Sequence, residues 1–365
     1  MGEWQRENIM ILCKSLNMKG RVRKTDYLEK GSTPVVDQSE SFIAGYIDDK
    51  AVFSDPPYIL FGDHTRIIKF IDFPFSPGAD GVKVLKAGDK IDSCFLAYYL
   101  RYNPVQDLGY SRHFKLLKEL EIPLPPLGEQ KRIAEILGQT TKAISSVQNQ
   151  IEQVKKLRSS IVGTASKIAV ELRALSEYFD INPRQPRNIP DNASTSFVPM
   201  ANLDETFGIS PIASQFSEHK KGYTYFENGD ILLAKITPCF ENGKSAIAKL
   251  STQIGHGSTE FHVLRHKNHM HQDVCLSPLL VAAILKQPSF LKPAENFMRG
   301  SAGQKRIPAS YIASLKVPVL KSVDLEQIDQ SLEIVEALLN LYHHKLSLLQ
   351  ELQKSLATRA FAGLL

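Results

Sequence analysis

Two long stretches without proline, each carrying an apolar stripe of helical period, constrain this chain more than any other feature. From Gly128 to about Val170, apolar residues recur at Ile133, Leu137, Ile144, Val147, Ile151, Val154 and Ile161. Steps of three and four put them on one helix face, with Thr140 at the skipped position. The second stretch repeats the pattern at Leu325, Ile328, Leu332, Val335, Leu339, Tyr342, Leu346, Leu349 and Leu356. Each stretch follows a proline-containing entry, where a missing N–H costs the helix nothing. At about 1.5 Å per residue, each helix would be on the order of 60 Å long. A stripe of that length must be buried against something. The matching lengths predict an antiparallel coiled coil paired through Leu137, Ile144, Val147, Ile151 and Val154 on one helix and Leu332, Val335, Leu339, Leu346 and Leu349 on the other. Two separate helical hairpins are the alternative.

The segments before the two helices also repeat in order. GADGVKVL (78–85) leads to GYSRHFK (109–115) and EIPLPPL (121–127); GSTEFHVL (257–264) leads to GSAGQKRI (300–307) and LKVPVLK (315–321). Short apolar and β-branched runs broken by Gly, Pro and Asp, such as VFSDPPYILFG, TRIIKFIDFPF and GDILLAKI, read as strands and turns. FLAYYLRYN and SPLLVAAILKQ read as short amphipathic helices. The expected fold is therefore α+β: two globular domains separated by two long antiparallel coiled-coil helices, with a pseudo-twofold internal repeat. The expected boundaries are 1–126 and 172–320 for the globular domains, and 127–171 and 321–365 for the helical spacers.

With 365 residues and a formal charge of +5, the chain is long enough for two cores, and its basic balance permits nucleic-acid partners. No window reaches the roughly 18 to 20 uncharged apolar residues of a membrane span, and the N-terminal segment lacks the apolar run of a signal peptide. A cytoplasmic location without membrane partners is expected. The cysteines Cys13, Cys94, Cys239 and Cys275 are widely spaced, so neither a CxxC redox motif nor a zinc knuckle is available and reduced thiols are expected.

Three catalytic readings fail on chemistry. Asp55-Pro56-Pro57-Tyr58 spells the DPPY loop of amino-methyltransferases, but the FxGxG turn that would bind S-adenosylmethionine is missing from the sequence. The pair Gly78 and Gly81 has the wrong spacing and precedes no helix. Asp-Pro-Pro is a common turn opener, so DPPY is expected to be a turn. Glu129-Gln130-Lys131 has the ExK form of a metal-dependent nuclease, yet it opens a helix, where an acidic residue suits the positive end. His266, His269 and His271 lie in HKNHMHQD, a polar loop, and no catalytic or metal-binding set is expected there.

Basic and polar loops remain, at matched places in both halves. The first half offers His64 and Arg66 in FGDHTR, Lys83 in GADGVKVL, and Tyr110, Ser111, Arg112, His113 and Lys115 in GYSRHFK. The second offers Lys235, Thr237, Asn242 and Lys244 in AKITPCFENGK, Ser258 and Thr259 in GHGSTE, and Arg299, Ser301, Gln304, Lys305 and Arg306 in MRGSAGQKR. Arg and Lys pair with guanine edges and phosphates, Asn and Gln with adenine, and small neighbours allow close approach. Together these residues form the expected DNA-binding set; a stand-alone DNA-modifying enzyme with atypical motifs and a coiled-coil scaffold without DNA binding are the alternatives.

PLPPLGEQKRIAEIL (123–137) resembles the first central conserved region of specificity subunits of type I restriction–modification enzymes. GDILLAKITPCFENGK, GHGSTEFHVLR and GSAGQKRIP look like motifs of that family's target recognition domains. YLEKGSTPVVDQ with ILFGDHTR and GYSRHFK looks like a second variant. The later copy, LKVPVLKSVDLEQ, lacks the double proline but retains Glu326-Gln327. The resemblance implies a non-catalytic subunit that binds bipartite double-stranded DNA, one half-site per recognition domain, with the helices setting the spacer. Two methyltransferase subunits, and optionally two restriction/translocase subunits, would assemble on it. S-adenosylmethionine, ATP and magnesium would reside on those partners, with no cofactor in this chain.

Overall fold

The computed structural model describes residues 4–16, 20–78, 81–109, 111–203, 211–219, 221–267, 274–301 and 303–365. It divides into two compact units, Met1–Ser146 with Leu346–Leu365, and Val147–Lys345.

The first unit runs β1 (Arg6–Asn8), α1 (Ile9–Leu12), β2 (Cys13–Ser15), β3 (Thr33–Val36), β4 (Gly45–Ile47), β5 (Tyr58–Gly62), β6 (Ile68–Ile71), β7 (Ser76–Pro77), β8 (Val82–Ala87), α2 (Ser93–Tyr102), α3 (Phe114–Lys118) and β9 (Glu121–Pro123), and then enters α4 (Leu127–Ile168). Strands order as β2-β8-β5-β6 in one sheet and β4-β3-β7 in another, while β1 pairs with β9. All five residues of β5 are buried, as expected of a central strand covered on both faces. Asp92 caps α2 by accepting the Cys94 and Phe95 N–H groups, and the helix buries Phe95 to Leu100. Ile59, Phe61, Leu85, Phe95, Leu117 and Ile122 share one core. Truncating Phe61 would cost on the order of 3–5 kcal/mol.

The second unit takes up α4 and continues with β10 (Glu171–Ala174), α5 (Leu175–Tyr178), β11 (Phe179–Ile181), β12 (Ser194–Val198), β13 (Ile212–Gln215), α6 (Phe216–His219), β14 (Thr224–Glu227), β15 (Ile231–Ala234), β16 (Ser245–Ile247), β17 (Ile254–Gly257), β18 (Phe261–His266), α7 (Pro278–Leu285), α8 (Pro288–Glu295), α9 (Ala309–Ser314), β19 (Lys316–Val319) and α10 (Ser322–Phe361). Its sheets repeat the plan: β11-β18-β15-β16 answers β2-β8-β5-β6, and β13-β12-β17 answers β4-β3-β7 with β14 added at the edge. The parallel pair β3/β7 has its counterpart in β12/β17. In place of β14 the first unit has a single bridge between Phe53 and Phe75.

The long helices complete both cores. In the first unit, Ile133 and Leu137 of α4 share a core with Ala357 and Ala360 of α10. There Gln353 Nε2 donates to Thr141 Oγ1 at 2.7 Å, and Arg132 reaches the Leu365 carbonyl at 3.0 Å. Falling numbers on α4 meet rising numbers on α10, so the helices run antiparallel. In the second unit, Val162 and Ala165 share a core with Leu325, Ile328 and Leu332. Of the predicted pairing residues, Leu137, Val147, Ile151, Val154, Leu332, Val335 and Leu339 are buried. Ile144, Leu346 and Leu349 are half-buried.

The helix entries differ. Gln130 is fully buried: its Oε1 accepts the Asp92 N–H at 2.8 Å and its Nε2 donates to Pro125 O at 2.8 Å and Lys90 O at 3.2 Å. The motif thus ties α4 to the turn before α2. On α10 the exposed Gln327 makes no such tie, and Leu325 is buried instead.

Candidate nucleic-acid interface

In the first unit, three loops meet at the end of β5. The Asp63 N–H donates to Gly81 O at 2.6 Å, and the His113 N–H donates to Asp63 O at 2.8 Å. Asp63 Oδ1 also accepts the Phe114 N–H at 2.7 Å. His113 is 0% exposed. Its Nε2 accepts the Leu108 N–H at 3.0 Å, which leaves Nδ1 to donate to Asp63 O at 2.9 Å. The imidazole is therefore the neutral Nδ1–H tautomer, with both nitrogens occupied. His64 bonds the Ser111 carbonyl through Nδ1 at 3.2 Å. Arg66, at φ 60°, pairs with Asp107 at 2.5 Å.

The second unit builds the same meeting point at the end of β15. The Lys235 N–H donates to Glu260 O at 2.9 Å, the Ile307 N–H to Lys235 O at 2.9 Å, and the Thr237 N–H to Lys305 O at 3.0 Å. Arg306 clasps Glu260 with Nε at 2.9 Å from Oε2 and Nη2 at 2.8 Å from Oε1. Those bonds hold the Glu260 carboxyl below its usual range. His262 donates through Nε2 to Ile307 O at 2.9 Å, and burial pulls its pKa down. The Arg299 and Arg306 backbones bond each other in both directions. Within that hairpin, Gly300 is obligatory, because a Cβ would lie 2.6 Å from Gln304 O.

These bonds fix the register between the units residue by residue. Asp63 corresponds to Lys235, Gly81 to Glu260 and His113 to Ile307, so Arg112 corresponds to Arg306, Ser111 to Lys305, and Gly109 to Gly303. Both glycines have positive φ, 67° and 81°, which supports the alignment.

The predicted residues separate into two groups. Arg112 and Lys115 are exposed, as are Asn242, Thr259, Arg299, Ser301, Gln304 and Lys305. Lys235, Lys244 and Ser258 are half-buried around the same loops, and Thr237 donates its hydroxyl to Lys305 O. Lys83 lies over the Phe114 ring at 5.3 Å. Tyr110 is outside the described residues. Of the other predicted residues, His113 is buried, and Arg66 and Arg306 are each held by a carboxylate. Sequence reasoning also passed over exposed Arg23 and Lys24, beside Val22, whose N–H donates to Pro77 O at 3.0 Å. The basic run KGRVRK was the available sign. Arg184 and Arg187 are exposed in the corresponding β11–β12 connection.

The other candidates resolve into structural roles. Tyr58 of DPPY begins β5, and Asp55 pairs with Lys86 at 3.1 Å with its side chain 90% exposed. His266 bonds Leu276 O through Nε2 at 2.9 Å; His269 and His271 are outside the described residues. Among the described residues no group of His, Cys, Asp or Glu could hold a metal ion, and no helix is long and apolar enough to cross a membrane. The four cysteines are free thiols, and burial pushes Cys13 up to about 12.

Comparison with known proteins agrees with this architecture. Residues 1–156 match the family described as the type I restriction modification DNA specificity domain. The chain is 42% identical over 147 residues to the type I restriction enzyme EcoEI specificity subunit of Escherichia coli, covering 40% of this chain and 24% of that protein. It is 39% identical over 161 residues to the EcoAI specificity subunit of the same species, covering 43% of this chain and 26% of that protein. The chain thus spans about a quarter of the length of each of these relatives. The crystal structure of a type I restriction–modification S subunit from M. genitalium superposes with a TM-score of 0.62 at 15% identity, covering 98% of this chain and 96% of that one, and shows the shared fold. The N-terminal part of the chain is thus similar in sequence to the specificity subunits of type I restriction–modification enzymes, and its repeated plan has the fold of one such subunit.

Proposed function

We propose that this chain reads a bipartite double-stranded DNA target, one half-site per unit. The observation that carries the reading is the recurrence of one loop constellation at the ends of β5 and β15, each with exposed cations beside glycine turns. Lys115, Lys244 and Lys305 supply phosphate contacts that set register, while Arg112, Asn242 and Gln304 supply groups that can read base edges. Residues 1–126 and 172–320 act as the recognition domains, and the segments 127–171 and 321–365 set the spacer.

The chain has no catalysis of its own in this account. It docks two methyltransferase subunits, and optionally two restriction/translocase subunits, in the cytoplasm. S-adenosylmethionine, ATP and magnesium belong to those partners. The direct test is DNA binding by the full chain assembled with its methyltransferase subunits. Lys115→Ala and Lys305→Ala should each weaken binding to all sequences and make its salt dependence shallower by about one unit of slope. Binding indifferent to both changes would remove these loops from the interface.

A further inference from the structure

The two units solve one mechanical problem with different residues, and the difference assigns roles to two matched arginines. In the second unit Arg306 is committed within the fold: three of its five N–H donors go to Glu260 and to the Gln304 carbonyl. The next residue, Ile307, is apolar and 1% exposed. In the first unit the place of Glu260 is taken by Gly81, which offers no carboxylate. The loop is pinned one residue later, by His113, whose ring bridges Leu108 and Asp63. Arg112 is exposed, and among the described residues it makes no side-chain hydrogen bond or ion pair.

We propose that Arg306 and Glu260 form a clamp that presents Gln304 and Lys305 to DNA, that His113 is the corresponding pin in the first unit, and that Arg112 alone of the two arginines touches DNA. This rests on the DNA-reading function proposed above. Arg306 is a positioning residue: its two parallel bonds to Glu260 fix the plane of the hairpin, and the hairpin's exposed side chains do the reading. Arg112 has its whole guanidinium fork available for a phosphate or a guanine edge.

The test uses the full chain assembled with its methyltransferase subunits. The probes are a fluorescent duplex carrying the motif that the wild-type complex methylates and a random-sequence duplex, each titrated over a range of salt. Arg112→Gln should weaken binding about tenfold and flatten the salt dependence by about one unit of slope. Arg306→Gln should weaken binding to the motif while leaving the slope unchanged. Arg306→Glu should be worse, and adding Glu260→Arg should restore binding to within about threefold of wild type, because the pair re-forms with its charges exchanged. If Arg306→Gln flattens the slope as Arg112→Gln does, or the charge exchange fails to restore a folded double variant, the clamp is wrong. Should Arg306→Glu fail to fold, the slope of Arg306→Gln decides alone. A wild-type complex that binds neither duplex overturns the DNA-reading function itself.

Discussion

Arg158 on α4 and Glu336 on α10 meet with Nη1 and Oε1 3.5 Å apart, at 7% and 9% exposure. Burial pushes the Glu336 carboxyl up, and Arg158 and then Lys286 oppose that shift. Lys286 is itself 7% exposed, so the Glu336 carboxylate faces two buried cations, and Glu152 also acts on Arg158. Glu336→Ala should therefore cost about 3–5 kcal/mol, because both buried cations lose a carboxylate that faces them. Arg158→Met should cost less, since Lys286 remains beside Glu336. The double change Arg158→Met with Glu336→Leu should recover most of the loss. Urea unfolding of the full chain distinguishes these outcomes; a single Glu336→Ala cost below about 1 kcal/mol would contradict them.

Acid should weaken the second unit through His256. The ring is 0% exposed and bonded to Thr195 at 3.0 Å and Gln185 at 3.3 Å. Burial first, and the neighbouring His219 second, pull its pKa down to about 4. A base with a depressed native pKa is protonated sooner in the unfolded chain, so stability rises with pH across this interval. Its contribution is complete above the ordinary value near 6.5 and is lost as pH falls toward 4, up to about 3 kcal/mol. Thermal unfolding followed from pH 7 to pH 4 should show the decline, and His256→Gln should flatten it. An unchanged slope in that variant would exclude His256 as the cause.

Gln130 makes a prediction about the first unit. Its side chain satisfies one donor and two acceptors at the junction of α4 and α2. Gln130→Leu fills the space but orphans the Asp92 N–H, at a cost of roughly 1–3 kcal/mol. Gln327→Leu, on the exposed surface of α10, should stay within about 0.5 kcal/mol of wild type. Equal costs at the two sites would show that the Gln130 bonds contribute little.

Asp55→Ala tests the DPPY match. An exposed pair with Lys86 contributes little, so stability should change by less than about 1 kcal/mol. Methylation by the assembled complex should be unaffected, and abolition of methylation in a folded variant would return a catalytic role to Asp55.

The long helices, the repeat and the central strands were legible because burial imposes a period, and a period survives in sequence. The residue-level alignment of the loops was not, since GYSRH and GQKRI share only glycine and arginine. The backbone bonds at Asp63 and Lys235 supply it. The partners of Arg66, Arg306 and His113 were hidden for a related reason. Each finds its partner through tertiary folding, Asp107, Glu260 and Asp63 being about 40 to 50 residues away in sequence, and a sequence records charge without recording what neutralises it. The separate roles of Gln130 and Gln327 were hidden the same way, because identical dipeptides occupy different turns of their helices.

The most direct measurement of the central claim is the methylation pattern of a host genome expressing this chain with its methyltransferase subunits. A split motif with a fixed unspecified spacer is the predicted result, and exchanging residues 1–126 for another recognition domain should change one half of it. A continuous motif, or an exchange that alters both halves together, would contradict one half-site per unit.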